Sequence, residues 1–323
     1  MCTAITFKTT DHYFGRNLDY EHGFGEKIII TPRYYPFHFR NGDILRKHYA
    51  MIGMAVEANN YPLYFDATNE MGLSIAGLNF PDNAQYFQPE DNVTCITSFE
   101  LIPWFLCQCA SVQECRIMCQ SLRIVDTPFD ESYPPTPLHW IIADRNESIV
   151  IESVKQGLQI YENPYGVLTN NPSFPYHLYN IANYMNVTAQ EPVNNFAPEI
   201  TINAYSRGMG GMGLPGDNSS TSRFIRAAFT KLNSKCETDE HASVIQFFHI
   251  LNTVCQVNGC TAVGYQYEKT LYSSCSNTEK GIYYYTTYEN PQITEVSMYA
   301  AELNCNNLIS VPLNRNLNII ASL

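Results

Sequence analysis

The chain opens MCTAITFKTT (residues 1–10), and this stretch decides how the rest is read. Thr3, Ile5 and Phe7 alternate with Ala4, Thr6 and Lys8, a period of two that predicts a strand over Thr3–Thr9. The first residues of a domain usually fray unless they are tied into a sheet. A strand beginning this early therefore holds Cys2 at a fixed place rather than on a loose tail. Two readings of Cys2 stand side by side at this point. It packs as a small apolar residue, or it is a thiol put there for chemistry. If Met1 is removed, Cys2 carries a thiol and a free α-amine on one residue.

Composition narrows the classes. The chain has 323 residues, 45% of them hydrophobic and 13% aromatic, enough for a sizeable core. Charged residues make up 15%, and the net charge is −12. An acidic chain without a Lys/Arg run excludes nucleic acid and an anionic membrane surface as expected partners. No apolar run reaches transmembrane length, and the N-terminus has neither the basic flank nor the apolar segment of a signal peptide. A cytoplasmic protein is expected.

The eleven cysteines are an odd count, which does not suit a disulfide framework in a chain read as cytoplasmic. The run CQCASVQECRIMC (107–119) lacks the paired C-x-x-C knuckles of structural zinc. Val112, Cys115, Cys119 and Leu122 fall instead at helical spacing, which predicts core packing. No metal is expected. The sequons at Asn92, Asn146, Asn186 and Asn218 carry no weight without secretion.

Strands are predicted at 3–9, 13–19, 27–31, 51–56, 73–77, 139–143, 148–154, 166–169, 271–274 and 281–288, all rich in Ile, Val, Tyr and Thr. Helices are predicted at 97–107, 112–122, 176–185, 222–232 and 241–251. Strands in hairpin-like neighbours with a few helices point to a layered α+β fold rather than a parallel βαβ repeat. One long irregular region, 186–216, is polar and then Gly-rich, and reads as a surface excursion or an assembly arm. Within it GMGGMG (208–213) satisfies G-x-G-x-x-G. It opens onto LPGD, a turn, and not onto a helix, so no dinucleotide site is expected. The following helix starts near Ser219–Ser222, where a small polar residue caps it.

A thiol that attacks an acyl carbon near neutral pH needs a base. None of the eight His stands in a recognisable cysteine-protease signature, and His139, on a strand before Trp140, reads as structural. A free α-amine titrates near 7.7–8 and can serve as base for its own side chain. Such chemistry needs a group to hold the amine, a cation to favour thiolate and donors for an oxyanion. FGRNLDY (14–20) supplies Arg16 and Asp19 beside a strand that can hairpin onto the first. GLNFP places Asn79 at one strand end, and VLTNNP places Asn170 at another. Singly, each of these also reads as a surface ion pair or a turn residue.

Together with MCT, FGRNLD, PRYY, NEMGLSIAGLNFP, LHW, SIVIE, GVLTNNPSF, GLPGDNSSTSRFIR and KGIYYYTTYEN, these motifs resemble the choloylglycine hydrolase family of N-terminal nucleophile hydrolases almost from end to end. That family includes bile salt hydrolases and penicillin V acylases. The resemblance implies a single catalytic domain over 1–323 with the four-layer αββα sandwich of antiparallel sheets. It implies an assembly arm within 186–216, a homotetramer and no cofactor. By motif, Cys2 is the nucleophile once Met1 is gone, with its amine as base. Arg16 and Asp19 flank it, Asn79 and Asn170 position the amine and oxyanion, and Arg223 of SRF is the remaining active-site arginine. Asn rather than Tyr at position 79 favours a bile salt hydrolase, with glycine- and taurine-conjugated bile acids as substrates. Penicillin V acylase or N-acyl-homoserine lactone acylase is the near alternative. A non-catalytic small-molecule binding protein is the alternative of another class. The expected substrate wall is Leu18, Tyr20, Phe24, Tyr61 and Leu63 of the NNYPLYF loop, and Phe129, Tyr133 and Leu138 of TPFDESYPPTPLHW. An apolar wall with a few polar anchors suits a steroid.

Overall fold

The computed structural model describes residues 1–321, so Ser322 and Leu323 of the expected domain lie outside the described residues. The first strand, β1 (Cys2–Lys8), turns through Thr9–Asp11 and pairs antiparallel with β2 (His12–Tyr20). The register sets Cys2 opposite Leu18 and Ala4 opposite Arg16. This hairpin supplies the second and third strands of a six-stranded sheet in the order 167–168, β1, β2, 269–277, 282–287, 294–297. A second sheet of eight strands runs 157–162, 148–154, 138–143, 74–79, 61–69, 51–58, 27–31, 309–311. Neighbours in both sheets are antiparallel.

Helices cover the outer faces. α1 (Leu101–Gln108) lies on the eight-stranded sheet, and α2 (Val112–Cys119) shares its core cluster. The short α3 (Phe174–Asn180) packs on α4 (Ser220–Asn233), and α4 and α5 (Glu240–Asn252) lie on the six-stranded sheet. The sheets face each other through β1, β2 and the strand Ser74–Asn79. This is the expected αββα sandwich.

Alternation along single strands shows why both sheets are buried. In Ile28–Ile30, residues 28 and 30 join the cluster that holds Cys2, and Ile29 joins the one under α1 and α2. A strand covered on both faces is apolar at every position, which is why these segments read as continuous apolar runs rather than alternating ones.

Several expectations are corrected. NNYPLYF is not a loop: Tyr61–Asn69 is a nine-residue strand paired with Met51–Ala58 across a bulge. Pro62 and the turn residues Asn59 and Asn60, both at positive φ, disguised its start. The helix predicted over 112–122 ends at Cys119, and Leu122 begins a short strand, Leu122–Val125, that pairs parallel with Thr94–Thr97. The helix of 176–185 is a seven-residue helix running into a 3₁₀ turn at Ile181–Tyr184. The strands Gly157–Glu162, Thr294–Ser297 and Ile309–Val311 had no separate signal: they lie at sheet edges and are half exposed, so their apolar pattern is weak. Cys115 and Cys119 are buried under the eight-stranded sheet, the core packing their spacing predicted, and Cys107 and Cys109 of the same run are buried with them. The GMGGMG segment forms a 3₁₀ turn at Met209–Gly211, with no helix directly after it. Among the described residues no helix is long and apolar enough to cross a membrane.

Candidate active site

Cys2 is 3% exposed, at the start of β1 and part of the cluster between the sheets. Its backbone N–H donates to Asn170 Oδ1 at 2.8 Å. Asn170 follows the short strand Val167–Leu168, which pairs with β1 at Ala4 and Ile5. Pairing at the far side of Ala4 is what brings residue 170 back beside residue 2. Asn170 is then gripped from several sides. Its N–H donates to Ser220 Oγ at 2.7 Å, its Nδ2 donates to the Asn79 carbonyl at 2.7 Å, and its own carbonyl accepts from His177 Nε2 at 3.0 Å. Burial drops the His177 pKa to about 4, so its ring is neutral near pH 7 and serves as a fixed donor.

Arg223 lies in the first turn of α4, after the N-cap Ser219, whose hydroxyl accepts from the Ser222 N–H. Arg223 Nη2 donates to the same Asn170 Oδ1 at 2.8 Å, and Nη1 donates to Thr3 Oγ1 at 2.7 Å and to the Cys2 carbonyl. Its Nε is fixed on the Asn218 carbonyl at 3.0 Å. Burial draws the Arg223 pKa down, against the pull of Asp19, Cys2 and Glu268.

Arg16 comes from β2 and is equally buried. Its Nη1 crosses to the eight-stranded sheet and donates to the carbonyls of Phe65, at 3.2 Å, and Gly77, at 2.5 Å. Its Nη2 is buried without a partner among the described residues. Burial opposes its charge, but the Cys2 thiol, Tyr272, Asp66 and Asp19 more than offset this, and its pKa rises. Asp66 itself is bound by Tyr272 at 2.7 Å and Tyr283 at 2.6 Å. Asp19 Oδ1 accepts from Thr270 Oγ1 at 2.6 Å, and its Oδ2 is buried and unpartnered among the described residues. Burial pushes the Asp19 carboxyl up, opposed by Arg223, the N-terminal ammonium and Thr270. Around one thiol the fold thus leaves a spare cationic N–H, on Arg16, and a spare carboxylate oxygen, on Asp19.

Asn79 ends the strand Ser74–Asn79, half-buried, and joins the group through its carbonyl. His139 binds the Thr169 carbonyl at 2.9 Å and Glu152 at 3.1 Å, so it buttresses the strand before Asn170 and is not a base for Cys2. Cys2, Arg16, Asp19, Asn79, Asn170 and Arg223 are therefore brought together.

The expected substrate wall divides into two. Leu18 faces Cys2 across the hairpin, and the rings of Tyr20 and Phe24 meet at a tilt, 4.8 Å between ring centres. Phe65, which the sequence reading did not single out, extends this group at 5.5 Å from Phe24. Tyr61, Leu63, Phe129 and Leu138 pack instead against the cluster under α1 and α2, with Tyr133 leaning on Phe129. Tyr61 and Phe129 border a cavity of about 310 Å³ with Arg40 and Glu100. The sequence reading also missed Glu268 and Thr270. Thr270 lies on the strand Lys269–Asn277, some 250 residues away, which pairs with β2, and Glu268 immediately precedes that strand; no local pattern announces such a pairing.

A family model described as linear amide C–N hydrolases, choloylglycine hydrolase family, matches residues 2–311, starting at Cys2. A bile salt hydrolase/transferase of Lactiplantibacillus plantarum is 53% identical over 314 residues, 97% of either chain. One from Clostridium perfringens is 38% identical over 99% of both chains. The crystal structure of the C2A mutant of the conjugated bile acid hydrolase from Clostridium perfringens matches with a TM-score of 0.92 at 37% identity, over 99% of both chains. Penicillin V acylase from Agrobacterium tumefaciens shares the fold, with a TM-score of 0.76 at 17% identity over 97% and 92% of the two chains. By its matching family model, its full-length relatives and the site assembled around Cys2, the chain belongs to the choloylglycine hydrolase family of linear amide C–N hydrolases.

Proposed function

We propose that this protein hydrolyses the amide bond of glycine- and taurine-conjugated bile acids through Cys2, after removal of Met1. The observation that carries the reading is the hold on Cys2: its nitrogen sits on Asn170 Oδ1, and Arg223 shares that oxygen. The relatives at 53% and 38% identity bear the name bile salt hydrolase/transferase and are matched over nearly their whole length.

Loss of Met1 turns the Cys2 nitrogen into a free amine. That amine takes the thiol proton, with Asn170 Oδ1 and the spare oxygen of Asp19 as acceptors for the resulting ammonium. Arg16 supplies the positive charge that favours the thiolate. The thiolate attacks the amide carbonyl, and the oxyanion is held by Asn79 and backbone N–H next to Cys2. The ammonium protonates the leaving glycine or taurine nitrogen, leaving a thioester. Water, deprotonated by the same amine, then releases the bile acid. An amine in place of water gives transacylation. Leu18, Tyr20 and Phe24 form the near wall for the steroid. Tyr61, Leu63, Phe129, Tyr133 and Leu138 form its outer part. The excursion 186–216 carries exposed Val193, Phe196, Tyr205 and Met212, which supports its role as the assembly arm of a homotetramer. The site of action is cytoplasmic.

The test is release of glycine or taurine from glycocholate and taurocholate by protein whose N-terminus has been checked by intact mass, beside Cys2→Ala and with penicillin V as a second substrate. Release that vanishes in Cys2→Ala supports the reading. A preference for penicillin V replaces the substrate, and full activity in Cys2→Ala removes the mechanism.

A further inference from the structure

Met1 is seated as an added residue of β1. Its ammonium donates to the Asp19 carbonyl at 2.8 Å and to Glu268 Oε1 at 2.7 Å, while the Asp19 N–H donates to the Met1 carbonyl at 2.9 Å. Glu268 is 6% exposed, and its second oxygen, Oε2, is buried without a partner among the described residues. Its place is fixed independently of Met1. The Glu268 N–H binds the Thr261 carbonyl at 2.9 Å, and the next two residues pair with Tyr20 and Asp19 of β2.

When Met1 leaves, the positive charge moves to the Cys2 nitrogen, which is already committed to Asn170 Oδ1. Glu268 and the Asp19 carbonyl are left facing the emptied place. A buried carboxylate stripped of its counter-charge is costly, and a cation that restores the pair is favoured. The emptied place begins at the Cys2 nitrogen. On the hydrolytic reading above, on which this inference rests, that same nitrogen hands a proton to the leaving amine and so lies within hydrogen-bond reach of it.

We propose that the place held by the Met1 ammonium becomes, in the Met1-free enzyme, a subsite for a cationic group on the amine side of the substrate, built from the Glu268 carboxylate and the Asp19 backbone carbonyl. The enzyme then takes bile acid amides of diamino acids in addition to those of glycine and taurine. The Met1 ammonium in this structure stands in for the side-chain ammonium of such a leaving group.

The experiment compares Met1-free enzyme on cholate amides linked through the α-amine: 2,3-diaminopropionate beside 2-aminobutyrate, and ornithine beside norleucine, with glycocholate as reference. At least one cationic amide should exceed its neutral partner in kcat/KM by about tenfold, the size of one charge-assisted hydrogen bond. Glu268→Gln should bring that ratio back toward one, and Glu268→Asp should keep part of it. The comparison on the unmodified enzyme stands even if the variants fold poorly. Ratios within about twofold of one for both pairs, with glycocholate still cleaved, overturn the subsite alone, since a factor that small is below the worth of a charged hydrogen bond. Failure to cleave any amide, glycocholate included, overturns the hydrolytic reading and the subsite with it.

Discussion

Arg223 and Asn170, 53 residues apart in sequence, meet at a single oxygen: Arg223 Nη2 donates at 2.8 Å to the Asn170 Oδ1 that also receives the Cys2 N–H at 2.8 Å. A carboxamide oxygen has two lone pairs, and both are used. The amide is thereby locked in one orientation, and the Cys2 nitrogen is held by a group that cannot swing away.

Asn170→Ala should therefore cost more than one hydrogen bond. It frees the Cys2 nitrogen and leaves a buried guanidinium N–H unsatisfied. A fall in kcat of about 10²–10³ is expected, the range for loss of one preorganised polar group at a reacting centre. Steady-state kinetics on glycocholate, with the melting temperature measured alongside, checks this. A loss below about fivefold would mean that the oxygen does not position the amine.

The identity of the first residue should act as a switch. While Met1 is present the Cys2 nitrogen is a peptide N–H that donates to Asn170 and can take no proton. A form extended at the N-terminus so that Met1 is retained should be inactive, and proteolytic trimming to Cys2 should restore turnover. Intact mass and amine release on the same samples decide it. Activity in the extended form would show that the base lies elsewhere.

Gly15 precedes Arg16 where β2 meets the strand Lys269–Asn277. A Cβ built there would lie 2.0 Å from the Ser274 carbonyl oxygen, which is backbone and cannot yield locally. Gly15→Ala should lower stability by at least about 1–3 kcal/mol, the usual cost of overpacking. It should also lower kcat, because the Arg16 N–H is bound to Ser274 Oγ at 3.1 Å and moves with the strand. Urea unfolding and kinetics on one preparation test both effects. Wild-type stability would show that the strands can part at this point.

Two buried histidines make stability depend on pH. Burial lowers His12 and His177 from 6.5 to about 4 in the folded protein. In the unfolded chain they protonate first as the pH falls, so the folded state loses stability as pH drops from about 6.5 toward 4, and stability rises with pH over that window. Each shift corresponds to about 3 kcal/mol at the acid end. Urea denaturation at pH 7 and pH 4.5 should show the loss, and His177→Gln should flatten it. An unchanged slope in that variant would place the protonation elsewhere.

Much of this was legible from the chain alone, because the information was local. The alternation after Cys2 fixes β1, the apolar runs fix strands buried on both faces, and a thiol next to the terminus fixes where an amine and a nucleophile coincide. Motifs such as FGRNLD and TSRF tell which arginines and asparagines belong with it. Tertiary structure alone decided which groups touch and which charges go unpaired. Asn170 reaches Cys2 because Val167–Leu168 pairs with β1, and Glu268 reaches the N-terminus because a strand some 250 residues downstream pairs with β2. Tyr61 turned out to begin a strand, since its partner Ala58 and the burial of its ring under α1 outweigh a loop-like sequence of Asn59, Asn60 and Pro62. Sheet pairing and burial depend on neighbours distant in the chain, and no local pattern encodes the register between them.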